Sequence, residues 1–126
     1  MKKIFTLFFI SVFLLSSTTQ TGIEEVISSL RSGNATQVAK FFDGTVDITL
    51  PEKSNSYSKS QAEVILKDFL ENNPVKSFTI IHKGNNTGSQ YCIGKLVSTN
   101  RSYRTTIFMK QKADKQFLQE IRFEQD

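Results

Sequence analysis

The chain has one histidine, His82, and one cysteine, Cys92. Imidazole changes charge closest to neutral pH, so His82 is the first residue to weigh as a general base. Such a base needs a carboxylate or a donor beside it, and the sequence supplies poor partners. Asp43 precedes Gly44, and Asp-Gly is a turn signal. Asp47 alternates with Val46 and Ile48, which puts it on the face opposite those apolar residues. Cys92 sits in a strand-like run, where it reads as a small buried hydrophobe; having no partner, it forms no intramolecular disulfide. One histidine, one cysteine and scattered carboxylates match none of the metal-ligand spacings, so no metal is expected. Gly-x-Ser-x-Gly is absent, as is any phosphate-cradling glycine loop, and no cofactor is expected. Asn34, Asn85 and Asn100 each begin an Asn-x-Ser/Thr triplet, a pattern short enough to arise by chance. His82 is thus a weak catalytic candidate, and no residue is a strong one.

The elements that would hold these residues begin after a leader. Met1-Lys2-Lys3 is basic, Ile4 to Leu15 is an almost unbroken apolar run, and Ser16-Ser17-Thr18-Thr19 is small and polar. This is the three-part pattern of a secretory signal, with cleavage placed after Thr19. The run is shorter than the roughly 20 residues that span a bilayer, so residues 1–19 read as a signal peptide and 20–126 as one exported domain, periplasmic or extracellular. No cysteine follows the run to carry a lipid, and no stable membrane anchor is expected after cleavage. Losing Lys2 and Lys3 lowers Lys+Arg from 16 to 14 against 12 acidic residues, a net charge near +2. That balance, with no dense basic block, excludes nucleic acid as a partner.

Hydrophobic periodicity orders the rest. Thr21-Gly22-Ile23-Glu24 is a capping box, followed by Ile23, Val26, Ile27 and Leu30 at helical spacing up to Gly33. Asn34 caps a short helix whose stripe is Ala35, Val38, Ala39 and Phe42. Val46, Ile48 and Leu50 alternate as a half-buried strand that Pro51 closes, and the polar run Glu52 to Ser58 reads as a loop or a short edge strand. The stretch from Ser58 to Lys83 is the joint of the chain. Its capping box Ser60-Gln61-Ala62-Glu63 opens a helix with Ala62, Ile65, Leu66, Phe69 and Leu70 on one stripe, and Asn72-Asn73-Pro74 stops it. Strand patterns follow over Val75–Lys83, Gln90–Thr99, Tyr103–Gln111 and Gln116–Glu124, joined by turns short enough to force an antiparallel meander. The first carries Phe78, Ile80 and His82 on one face; in the last, Phe117, Ile121 and Phe123 share a face opposite Leu118, Glu120, Arg122 and Glu124.

Two helices, a strand ending at Pro51, a third helix and four long strands resemble the nuclear transport factor 2-like superfamily over Thr21 to Glu124. The Leu30-Arg31-Ser32-Gly33-Asn34 hinge and Phe41-Phe42-Asp43-Gly44-Thr45-Val46-Asp47-Ile48 carry the likeness, which extends to small secreted bacterial families of unassigned function. The resemblance implies an α+β cone, with three N-terminal helices packed on a curved antiparallel sheet. In the steroid-isomerase branch a first-helix tyrosine and an aspartate before the strand's proline carry the chemistry; the matching positions here hold Val26 and Leu50, so that activity is disfavoured. Related dehydratases use a pocket histidine, which leaves His82 as the basis of an alternative isomerase or dehydratase reading.

The leading expectation is a noncatalytic exported module for an apolar small molecule or a protein partner. The cone mouth would be lined by Tyr57, Phe78, Ile80, His82, Tyr91 and Tyr103. A homodimer through the outer sheet face is the other expectation, with Leu96, Phe108 and Leu118, beside Cys92, forming an apolar strip among charged residues. These facings depend on register, and a one-residue bulge reverses them.

Overall fold

A computed structural model describes residues 22–126. The leader, its cleavage point and the Thr21 cap lie outside the described residues. Helix α1 (Gly22–Arg31) has Glu24 and Glu25 in its first turn and Arg31 in its last, each complementing the helix dipole, and buries Ile23, Val26, Ile27 and Leu30. Gly33 turns the chain at φ 69°, in the left-handed region that suits glycine. Asn34 then caps α2 (Ala35–Ala39), its side-chain oxygen accepting from the Gln37 N–H at 3.0 Å.

Strand β1 (Phe42–Leu50) pairs with the polar β2 (Lys53–Ser58), so the segment read as loop or edge is an edge strand. Asp43-Gly44 is not a free-standing turn; it lies within β1, where the pairing with its neighbour shifts between Phe42 and Asp47. Helix α3 (Lys59–Asn72) begins before the Ser60 box, because Ser58 caps it by accepting from the Gln61 N–H at 3.3 Å. At its end the Asn73 amide donates to the Phe69 carbonyl at 2.9 Å, and Pro74 follows. Strands β3 (Val75–Asn86), β4 (Ser89–Ser98), β5 (Ser102–Lys112) and β6 (Lys115–Gln125) form the meander.

The six-stranded sheet has the order β2-β1-β6-β5-β4-β3. It is mixed rather than wholly antiparallel, since β1 runs parallel to β6. The physical reason is the long crossover: after the β1–β2 hairpin, α3 carries the chain to the far edge, and four alternating strands return it beside β1 in the same direction. The helices are likewise split, with α1 and α2 before the hairpin and α3 after it.

One face of the sheet packs on the helices. Val46, Ile48, Leu96, Ile107, Leu118, Ile121 and Phe123 meet Val26, Leu30, Leu66 and Phe69 there, all buried. Phe69 lies 4.4 Å from Phe123 and 5.1 Å from Tyr103, ring centre to ring centre, and the Tyr103 hydroxyl donates to Asn73 Oδ1 at 2.7 Å. Each such side chain removed from water contributes about 1.5–3 kcal/mol. The expected outer placement of Cys92, Leu96 and Leu118 is therefore corrected, because all three are fully buried in this core. For Leu118 the cause is a bulge: Leu118 pairs with Met109 and Glu120 with Phe108, leaving Gln119 unpaired and bringing Leu118 to the face of Ile121 and Phe123. For Cys92 and Leu96 the cause is phase, since they pair with the buried Ile107 and Tyr103.

Candidate functional site

A second bulge decides the fate of the one histidine. Ile80 pairs with Gly94 and His82 with Ile93, so Ile81 is the extra residue and His82 emerges on the face opposite Phe78. His82 is exposed, with its ring centre 5.5 Å from that of Tyr91. Among the described residues it takes part in no side-chain hydrogen bond or ion pair, so no acid partner or oxyanion donor stands beside it.

The expected cone-mouth set is dispersed. Phe78 is buried over Gly94, Tyr103 is buried against Phe69, Ile80 is partly exposed at the sheet edge, and Tyr91 lies on the outer face paired with Phe108. Tyr57 stands apart on β2 at the other edge. Where the cone would be hollow, large side chains fill it, among them Phe42, Leu66, Leu96, Met109 and Phe123.

Concave surface is found at the periphery instead. Between β2 and α3 lies a groove of about 550 Å³ lined by Asn55, Ser56, Tyr57, Ser60, Gln61, Val64 and Ile65. Val64 is 65 % exposed, the most exposed of the large apolar residues in the described chain. No charged side chain lines the groove; its polar groups are hydroxyls and amides, with the Asn55 amide 3.4 Å from the Tyr57 hydroxyl. Such a lining suits an uncharged, largely apolar occupant. The sequence singled out Tyr57 but missed Val64, which falls one position off the buried stripe of α3.

A larger cavity, about 740 Å³, opens where the start of α1, the α2–β1 junction and the β5–β6 hairpin meet. Gly22 and Phe41 line it together with Lys40, Lys59 and Lys115, Glu25 and Asp114, and Gln116 and Phe117. No spacing in the sequence announces this group, because its members come from separate elements brought together by the crossover. Beside it Asp43 is pinned: Lys112 Nζ lies 2.7 Å from its carboxylate, Gln119 Nε2 donates at 2.9 Å and the Gly44 N–H at 2.8 Å. Those bonds, that of Lys112 foremost, hold the Asp43 carboxyl at about 2 and outweigh the opposing effect of burial. Burial pushes the Cys92 thiol up to about 11, which keeps it protonated and unreactive at neutral pH. Among the described residues no three His, Cys, Asp or Glu side chains gather as a metal site, and no helix is long and apolar enough to cross a membrane.

The outer face of the sheet carries Tyr91 and Ile93 on β4 beside Phe108 on β5, all partly exposed, with Arg104, Lys110, Glu120 and Arg122 around them. Of the expected dimer-face residues, only Phe108 lies there.

This curved mixed sheet, with α1 and α2 before its first hairpin and α3 crossing to its far edge, is the nuclear transport factor 2-like fold. It is similar to a nuclear transport factor 2-like protein of unknown function from Cytophaga hutchinsonii, with a TM-score of 0.61 at 10% identity, covering 87% of this chain and 94% of that one. The chain belongs to the family described as Domain of unknown function (DUF4783), whose model matches residues 23–124. Solved members are similar throughout: one from Bacteroides uniformis has a TM-score of 0.79 at 29% identity, covering 82% of this chain and 95% of that one. Another, from Bacteroides ovatus, has a TM-score of 0.78 at 24% identity, covering 81% and 93%. No functionally curated protein matches the chain.

Proposed function

We propose that the chain is an exported, noncatalytic binding module that takes an uncharged, largely apolar small molecule in the groove between β2 and α3. The observation that carries this reading is the lining of that groove: exposed Val64 beside Tyr57 and Ile65, with neutral hydrogen-bonding groups at its rim and no charge. Its volume, about 550 Å³, lies within the range of small-molecule sites. The basic, apolar and small-residue leader supports export. The neutral fluorescent probe N-phenyl-1-naphthylamine tests the site. Saturable enhancement is expected, with affinity lowered by roughly tenfold or more in Val64→Lys, equivalent to about 1.4 kcal/mol. An enhancement that never saturates, or one that Val64→Lys leaves intact, refutes the groove as the site.

A second reading, engagement of a protein partner or a second copy through the outer sheet face, is favoured by the adjacent Tyr91 and Phe108 side chains within a charged surround. Light scattering at micromolar concentration tests the second-copy form. A dimer that Phe108→Lys splits supports it, and a monomer removes it.

A further inference from the structure

We propose that the groove between β2 and α3 selects an apolar molecule carrying one neutral oxygen acceptor, a ketone or ester carbonyl, which the Tyr57 hydroxyl receives. This inference rests on the groove being a binding site and adds the chemistry of its occupant. Register supplies the first step. Asn55 pairs with Ile48 and Tyr57 with Val46, and both partners are buried, so Asn55 and Tyr57 face the helical side of the sheet. Ser56, between them, faces the other way and donates to Asp47. Strand β2 ends at Ser58 and α3 starts at Lys59 with no loop between, and Ser58 Oγ accepts from the Gln61 N–H at 3.3 Å. This capped joint sets the strand wall against the helix wall. On the latter, Ser60 and Val64, like Gln61 and Ile65, stand one helical turn apart.

The two walls differ in chemistry. Helix α3 contributes apolar surface, the exposed Val64 beside the half-buried Ile65. Strand β2 contributes directed polarity. Asn55 Nδ2 donates to the Tyr57 hydroxyl oxygen at 3.4 Å, the one hydrogen bond of that hydroxyl among the described residues. The Tyr57 O–H proton is thereby left to donate elsewhere, and a hydroxyl whose oxygen already accepts a bond donates more strongly. A carbonyl oxygen is its match.

Other occupants fit less of this lining. An ion finds no opposite charge among the lining residues. A hydrocarbon takes Asn55 and Tyr57 out of water and gives them no partner in return, and a lone donor leaves the Tyr57 proton unmet. A polyol satisfies Tyr57 but lays its remaining hydroxyls against Val64 and Ile65. A compact apolar body with a single acceptor compensates both walls, and a groove of about 550 Å³ holds one.

The compounds 2-acetylnaphthalene and 2-isopropenylnaphthalene test this, because they share a shape and differ only in a carbonyl oxygen against a methylene. Each is titrated into the protein, with the Val64 methyl resonances reporting occupancy, and both are expected to saturate. Tyr57→Phe keeps the ring and loses the hydroxyl, so it should weaken the ketone about fivefold more than the alkene, the worth of one neutral hydrogen bond. The carbonyl stretch of the bound ketone should lie at lower frequency in the parent than in Tyr57→Phe, a signature that altered packing alone does not produce. A differential below about twofold, or a carbonyl stretch that Tyr57→Phe leaves in place, overturns this inference while the groove stands as the site. Failure of both compounds to saturate at Val64 overturns it together with the groove.

Discussion

Gly94 marks the point where a single methyl group tests how the sheet edge is held. A Cβ at that position would sit 2.4 Å from Phe78 Cζ, 2.9 Å from Phe78 Cε1 and 2.8 Å from the Thr79 carbonyl oxygen. Phe78 is 3 % exposed and its neighbour's oxygen is backbone, so neither can yield freely. Gly94→Ala must swing the Phe78 ring partly into water and push β3 outward at its pairing with Ile80. Re-exposing part of a buried phenylalanine, together with overpacking, sets the expected loss at about 2–3 kcal/mol. Urea unfolding measures it, as a lowered midpoint at unchanged slope. The Phe78→Leu background isolates the cause: with the ring tip gone, Gly94→Ala should cost about 1 kcal/mol less, leaving the Thr79 oxygen as the residual obstacle. A loss below about 0.5 kcal/mol for Gly94→Ala, or strict additivity with Phe78→Leu, refutes the reasoning that the Phe78 ring is seated directly on this glycine.

Two further outcomes follow from the same geometry. Asp43, held at about 2 against an ordinary 3.8, contributes stability that is complete above about pH 4 and lost as the pH falls toward 2, because its carboxyl must then protonate. Asp43→Asn should cost about 1–2 kcal/mol at neutral pH, a figure reduced because Lys112 is half exposed to solvent, and the gap from the parent should close over that acidic window. Unfolding midpoints that stay equally separated at pH 7 and at about pH 2 would contradict the ion-pair explanation. Leu118→Ala and Phe108→Ala separate the two faces of the sheet: the fully buried leucine should cost about 2–5 kcal/mol and the partly exposed phenylalanine about 1. Comparable losses for the two would reverse the assigned facing.

The local instructions were legible in the chain. Asn34 caps α2 as its position before an apolar stripe implies, and the Leu66–Phe69–Leu70 stripe is the buried side of α3. The four late strands pair as a meander because their turns leave no other reach.

Facing was not readable. Alternation carries a strand's inside and outside only while its phase is kept, and one unpaired residue at Ile81 and another at Gln119 reset that phase. The first sends His82 away from the core and the second draws Leu118 into it, although both look ordinary in sequence. The parallel pairing of β1 with β6 and the cavity shared by Lys40, Lys59, Lys115 and Gln116 belong to the same class. Sequence alone determined the order of the helices and of the late strands, since that rests on residue type and near neighbours. Only the tertiary structure decided which side chains meet, because that depends on register and on a crossover that brings distant residues together.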